Sequence, residues 1–278
     1  LNLKLTNYLQ KKLFLKLFKL ELCYFIMHVG FDVLGNIAVL KFDRNVNLNE
    51  KKKFAVNYLK KNKNVRTVLE KVGKFSGRLR TLKARWLAGE KTREALYREN
   101  GCEFRFNVDT CYFSPRLSSE RLEISKMVKK NERVLVMFGG VAPFAMVIGK
   151  LAKPEKVVSV ELGREASRYA EINIKRNKLT GKVEAVGGDV RRKCKKKLIG
   201  RFDRIVMARP QLEDSFLDVA FPLVEKKGII HYYGFGKEEE LGEMKKMILE
   251  EALKAVKKIR ILGIKKAGDI GPYRWRWR

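Results

Sequence analysis

Histidine is close to absent from this chain: there are two in 278 residues, beside four cysteines. Cys23, Cys102, Cys111 and Cys194 form no C-x-x-C pair. A structural zinc site is therefore not expected, and no metal is assigned. The thiols are read as reduced, in a cytoplasmic protein. Acids are also scarce. There are 31 Asp+Glu against 62 Lys+Arg, a formal net charge of +31. That balance points to polyanionic partners, nucleic acid ahead of an anionic membrane. Lysine enrichment has a second source, because proteins from hot environments share it. Long apolar runs are missing as well. Residues 1–27 place Leu5, Leu9, Leu13 and Leu17 at helical spacing, as an amphipathic extension. Lys11, Lys12, Lys16, Lys19 and Glu21 interrupt it, so it is too broken to span a bilayer, and no membrane partner is expected.

The hydrophobic share, 45%, is enough for a real core. The chain is organised around the stretch from Glu132 to Phe144. It reads as a short apolar strand, Val134 to Met137, then the turn Phe138-Gly139-Gly140-Val141-Ala142, then a helix opening near Pro143. Such a turn lets backbone N–H groups approach a ligand at the mouth of a parallel sheet. A tight turn with no ligand gives the same pattern. Lys156 to Val160 repeats the strand and ends in Glu161, placed as needed for a ribose diol. Gly188-Asp189-Val190 ends a third strand, where Asp189 suits an adenine amine and Val190 its ring. The turn has no third glycine and no P-loop Lys-Ser/Thr, so a nucleoside without phosphates fits best: S-adenosylmethionine.

From residue 132 onward β and α alternate. Strands are expected at 133–137, 156–161, 182–187, 203–207, 228–233, near 258–266 and at 273–278. Helices are expected at 143–152, 164–177, 212–224 and 237–255. This order means a doubly wound, Rossmann-like parallel sheet. Upstream, Gly35-Asn36 marks a hairpin, and 50–63 reads as a helix, followed by strand or short helix at 65–72. The division expected is an N-terminal helical extension over 1–27, a small α+β domain over 28–105 and the sheet domain over 106–278. The tail Tyr273 to Arg278 alternates ring and cation, either as a final strand with the two kinds on opposite faces or as an RNA contact.

Several stretches together carry a family resemblance. They are Phe31-Asp32-Val33-Leu34-Gly35-Asn36-Ile37-Ala38, Trp86-Leu87-Ala88-Gly89-Glu90, Arg98-Glu99-Asn100-Gly101, Tyr112-Phe113-Ser114-Pro115-Arg116 and Gly228-Ile229-Ile230-His231-Tyr232-Tyr233. Over residues 28–278 the chain resembles the archaeal and eukaryotic tRNA (guanine-37, N1)-methyltransferases. Two places depart from the usual pattern. The family loop D-M-F-A-G-V-G-P-F is here Val136-Met137-Phe138-Gly139-Gly140-Val141-Ala142-Pro143-Phe144, and the family N-L-P is Ala208-Arg209-Pro210. Both resemble the archaeal branch of the wyosine pathway, which also methylates C7 of 4-demethylwyosine.

The resemblance implies a class I methyltransferase that uses S-adenosylmethionine and acts on tRNA. It implies Glu120 as the base that removes the N1 proton and Arg80 as the cation facing O6. Cofactor contacts are implied for Tyr112, Phe138, Gly139, Gly140, Val141, Pro143, Glu161, Asp189, Val190, Ala208 and Pro210. For tRNA they are implied for Arg78, Lys83, Arg85 and Arg116. An anticodon-loop base can be splayed out and read on its Watson–Crick edge. A monomer is expected. Two other readings stay open: a non-catalytic RNA-binding protein on a degenerate methyltransferase fold, and a methyltransferase for another RNA position or a small amine.

Overall fold

The structure, a computed structural model, describes residues 29–73, 77, 79–195 and 200–278. The amphipathic extension expected over 1–27 and Arg78 lie outside the described residues. The described residues form two compact units, one of 29–73 and 83–92, the other of 77, 79–82, 93–195 and 200–278.

The first unit is a four-stranded sheet in the order β1-β2-β3-β4, with β1 Gly30–Leu34, β2 Ile37–Lys41, β3 Thr67–Lys71 and β4 Ala84–Gly89. β1 and β2 form the expected hairpin, with Gly35 at φ 63° in its turn. The helix α1, Leu48–Lys61, links β2 to the parallel β3. Asn47 starts it: its side chain accepts from Glu50 N while Glu50 reaches back to Asn47 N, a reciprocal capping box. Ala55 and Tyr58 of α1 then bury against Leu40, Val68 and Leu87 of the sheet.

The second unit is built on a parallel sheet in the order β11-β10-β7-β8-β9. Its strands are β7 Arg133–Met137, β8 Lys156–Glu161, β9 Val183–Gly187, β10 Phe202–Met207 and β11 Val224–Tyr232. Leu135, Met137, Val160, Ile205 and Met207 are fully buried, which is why these strands read as continuous apolar runs. The connecting helices are α3 Pro143–Leu151, α4 Arg164–Arg176, the single turns α5 Val190–Lys193 and α6 Leu217–Ala220, and α7 Leu241–Lys254, while α2, Ser118–Met127, precedes the sheet. The helix expected over 212–224 is thus confined to four residues, because Val224 is already taken into the ladder with Phe202. Residues 257–265 form neither helix nor strand, whereas β12 Gly234–Gly236, β13 Lys266–Gly271 and β14 Arg274–Trp277 make a small antiparallel sheet.

The hairpin of β5, Glu94–Glu99, and β6, Cys102–Asn107, belongs to this second unit. The two units therefore divide near residue 92, upstream of the boundary expected at 105. The reason lies on α4. Asn173 accepts from Arg105 N at 2.8 Å and donates to Arg105 O at 3.1 Å. Asn177 accepts from Glu103 N at 2.8 Å and donates to Glu103 O at 2.7 Å. Two asparagines one helical turn apart thus satisfy the outer edge of β6 as a neighbouring strand would.

A buried polar cluster lies at the other end of the sheet. Arg204 binds Glu132 at 2.7 Å, Met127 O at 2.8 Å and the His231 ring nitrogen at 2.7 Å. Burial first, then the guanidinia of Arg204 and Arg278, push His231 down to about 3 from the usual 6.5, against a smaller opposing pull from Glu123. A histidine depressed in the folded state contributes stability above the unfolded pKa and loses it as pH falls. Stability is expected to drop by up to about 1.4 kcal/mol per pH unit as pH falls from 6.5 toward 3. His231→Gln keeps an acceptor that cannot titrate, so denaturant titrations should show a shallower slope for it across that window.

Among the described residues no helix is long and apolar enough to cross a membrane, and no group of three or more His, Cys, Asp or Glu could hold a metal ion. Burial pushes the Cys102 and Cys111 thiols up to about 11 and Cys194 up to about 12. At neutral pH these three are protonated and inert.

Candidate active site

The carboxyl ends of β7, β8, β9 and β10 surround an open cavity of about 120 Å³, beside the point where strand order reverses around β7. The turn after β7 is tightly specified. Phe138, Gly140 and Ala142 have φ of 62°, 56° and 66°, all left-handed. Gly139 donates from its backbone to Val160 O at 2.9 Å, and a Cβ there would lie 2.0 Å from Ser159 Oγ. A side chain there would require the Ser159 hydroxyl to move.

Glu161 locks the turn in place. Its Oε2 accepts from Gly140 N at 2.8 Å and its Oε1 from Gly163 N at 2.7 Å. Burial pushes its carboxyl up, and the backbone donors of Gly163, Gly140 and Leu162 oppose this. The carboxylate lines the cavity with lone pairs still able to accept from a diol. Asp189 caps α5 by accepting from Arg191 N at 2.8 Å, and Val190 beside it is buried at the cavity wall. Phe138 packs edge-on against Phe216, ring centres 5.0 Å apart.

Arg80 lies over the Tyr112 ring, 3.9 Å from its centre. Both line the cavity, as do Phe138, Gly140, Ala208 and Pro210. Three implied cofactor contacts do not line it and act on the turn instead. Gly139 is pressed on β8, Val141 is buried with its carbonyl 3.4 Å from Asn173 Nδ2, and Pro143 opens α3. Arg209, between Ala208 and Pro210, is buried and braces the following loop. It donates to the Tyr232 hydroxyl at 3.1 Å, to Asp214 O at 2.5 Å and to Leu212 O. Desolvation lowers its pKa.

Glu120 is 6% exposed and does not line the cavity. Its Oε1 accepts from the Tyr233 hydroxyl at 2.6 Å and lies 3.1 Å from Arg278 Nε. The helix α2 that carries it is anchored by the Arg98-Glu99-Asn100-Gly101 stretch. Asn100 and Gly101, at φ 48° and 72°, form the β5–β6 turn, and Asn100 donates to Ser118 O at 3.0 Å. Arg121 donates to both Glu99 carboxylate oxygens, from Nε and from Nη2, the latter at 2.6 Å, and Arg121 also donates to Ser114 O at 3.0 Å. Phe113 is a core ring stacked on Phe106, whereas its neighbour Tyr112 lines the cavity.

Of the cations assigned to tRNA, Arg116 is exposed on a 3-10 turn of the second unit. Lys83 and Arg85 are exposed in the first unit, where Arg85 lies 3.7 Å from Glu70. Several lining residues escaped the sequence reading, Tyr233 and Arg276 among them. Tyr233 stood in a quoted stretch without a role. Arg276 of β14 faces the cavity, while Trp275 and Trp277 pack together on the other side with ring centres 5.8 Å apart. The strand alternation of the tail carried that signal.

Comparison with known proteins agrees with this geometry. The family described as TRM5/TYW2 methyltransferase domain matches residues 95–262, and the TYW2 N-terminal domain matches residues 26–92. The chain is 35% identical to the tRNA (guanine(37)-N(1))-methyltransferase Trm5b of Pyrococcus abyssi, covering 84% of this chain and 68% of that protein. It is 31% identical to the tRNA (guanine(37)-N(1))/4-demethylwyosine(37)-methyltransferase Taw22 of Nanoarchaeum equitans, covering 90% and 98%. Among solved structures it is similar to the complex of aTrm5 and tRNALeu, with TM-score 0.79, 26% identity and 94% and 74% coverage. The Methanocaldococcus jannaschii Trm5 complex with adenosine gives TM-score 0.75, 27% identity and 89% and 70% coverage.

Proposed function

The chain belongs to the TRM5/TYW2 methyltransferase family, and from that premise we propose that it methylates N1 of guanosine-37 in the anticodon loop of tRNA, in the cytoplasm. The observation that carries the proposal is one cavity lined by both Glu161 and Arg80, with Arg80 stacked on Tyr112. The donor set fits S-adenosylmethionine: a buried carboxylate for a ribose diol, Val190 and Phe138 for a purine face, and Asp189 for its amine. The adenosine complex of the Methanocaldococcus protein and the tRNALeu complex of aTrm5 support the same two ligand classes.

S-adenosylmethionine supplies an electrophilic methyl group on a sulfonium sulfur. The protein must make N1 of guanine nucleophilic. In neutral guanine that atom holds a proton and its lone pair belongs to the ring. Glu120 takes the proton, and Arg80 stabilises the charge that builds on O6. Stacking on Tyr112 fixes the guanidinium plane before the base arrives. Lys83, Arg85 and Arg116 hold the phosphate backbone.

A second acceptor, C7 of 4-demethylwyosine, is proposed on two observations. Ala208 leaves the cavity wall without the amide that N-L-P would supply, and the similarity to Taw22 runs over 98% of that protein. The non-catalytic reading finds no support, since the similar proteins are named as enzymes. The test is a transcript tRNA incubated with labelled methyl donor, followed by nucleoside analysis. 1-Methylguanosine is expected, and replacing guanosine-37 by adenosine should abolish it. Label on another nucleoside refutes the N1 assignment. Transcripts carrying 4-demethylwyosine should gain a C7 methyl; an unchanged base removes the second activity alone.

A further inference from the structure

The proposed base does not border the cavity, but a group that touches it does. Tyr233 is 1% exposed, lines the cavity, and points its hydroxyl at Glu120 Oε1, 2.6 Å away. Its ring is held against Phe144, centres 6.0 Å apart. We propose that Tyr233 relays the proton from the target base to Glu120. The inference rests on the reading of Glu120 as the base.

The relay balances. The bond between N1 and the methyl carbon forms as the sulfur–carbon bond breaks. The N1–H electron pair stays on the ring, and its proton goes to the Tyr233 phenol oxygen. The phenol's own proton passes to Glu120 Oε1. Tyr233 ends neutral as it began, the carboxylate is neutralised, and the sulfonium charge disappears with the sulfide. Two properties suit the phenol to this task. Burial and the Glu120 charge hold its pKa well above the usual value, so it stays protonated and aimed at the carboxylate. Its oxygen keeps lone pairs for an incoming donor.

Tyr233→Phe keeps the ring and removes the relay. Single-turnover methyl transfer is expected to fall about 10²- to 10⁴-fold, the usual range for a lost proton-transfer group. Donor affinity by calorimetry should stay unchanged. The double variant Glu120→Gln/Tyr233→Phe should be no slower than Glu120→Gln alone, because the two act as one unit. In the protein without donor, Glu120→Gln should alter the tyrosine bands in ultraviolet resonance Raman spectra, and should not in the Tyr233→Phe background. A wild-type rate in Tyr233→Phe beside a slow Glu120→Gln overturns the relay and leaves the base standing. Wild-type rates in both overturn the base as well. Additive losses reduce Tyr233 to packing. A measurement on the unaltered protein guards against a variant that does not fold. In mixtures of light and heavy water, single-turnover rates should give a bowed proton inventory from two protons in flight; a linear one contradicts the relay.

Discussion

Glu120→Gln is expected to lower single-turnover methyl transfer about 10²- to 10⁴-fold while leaving donor affinity within about twofold. The variant keeps the shape of the side chain and an oxygen for the Tyr233 hydroxyl, so packing at the start of α2 survives. It loses the capacity to receive a proton, and neutral guanine then has no acceptor for the one on N1. Donor affinity is insulated because Glu161 and the turn after β7 do not touch Glu120. Quench-flow with pre-bound donor separates the two quantities. Turnover within threefold of wild type removes Glu120 from the chemistry.

Arg121→Met is expected to destabilise the second unit by about 3–5 kcal/mol, the usual effect of stranding one member of a buried ion pair. The Arg121 and Glu99 side chains are 1% and 3% exposed. Removing the guanidinium leaves the Glu99 carboxylate in the interior and frees the Ser114 carbonyl of its donor. The double replacement Arg121→Met/Glu99→Leu should recover most of the loss, since neither charge then needs solvation. Urea titrations of the three variants decide this. A single variant within about 1 kcal/mol of wild type shows the pair to be dispensable. The fold depends on this pair to hold the β5–β6 hairpin against the helix that carries Glu120.

The parallel sheet was legible in the sequence because its strands are buried on both faces. Val134 to Met137 is an unbroken apolar run and Val157 to Val160 is broken only by the buried Ser159, and each ends where the chain turns toward the cavity. The turn and Glu161 were legible because their roles depend on local geometry. Contacts across long separations were not. Asn173 and Asn177 bind backbone 68 and 74 positions away, which set the true allegiance of the hairpin. The apolar pattern over 212–224 suggested a helix, but the brace of Arg209 on Leu212 and Asp214 and the early start of β11 leave room for one turn. A strand was expected near 258–266, yet a sequence pattern cannot show whether a ladder partner exists. Glu120 was singled out only by the family resemblance. Its burial against Tyr233, 113 positions further on, is a tertiary fact that spacing does not contain.

The most direct test is a crystal of this protein soaked with S-adenosylhomocysteine. The ribose hydroxyls should sit on Glu161, the adenine between Phe138 and Val190, and the sulfur should open toward Arg80 and Tyr233. A ligand bound elsewhere, or one whose sulfur faces away from both side chains, contradicts the site and the chemistry built on it.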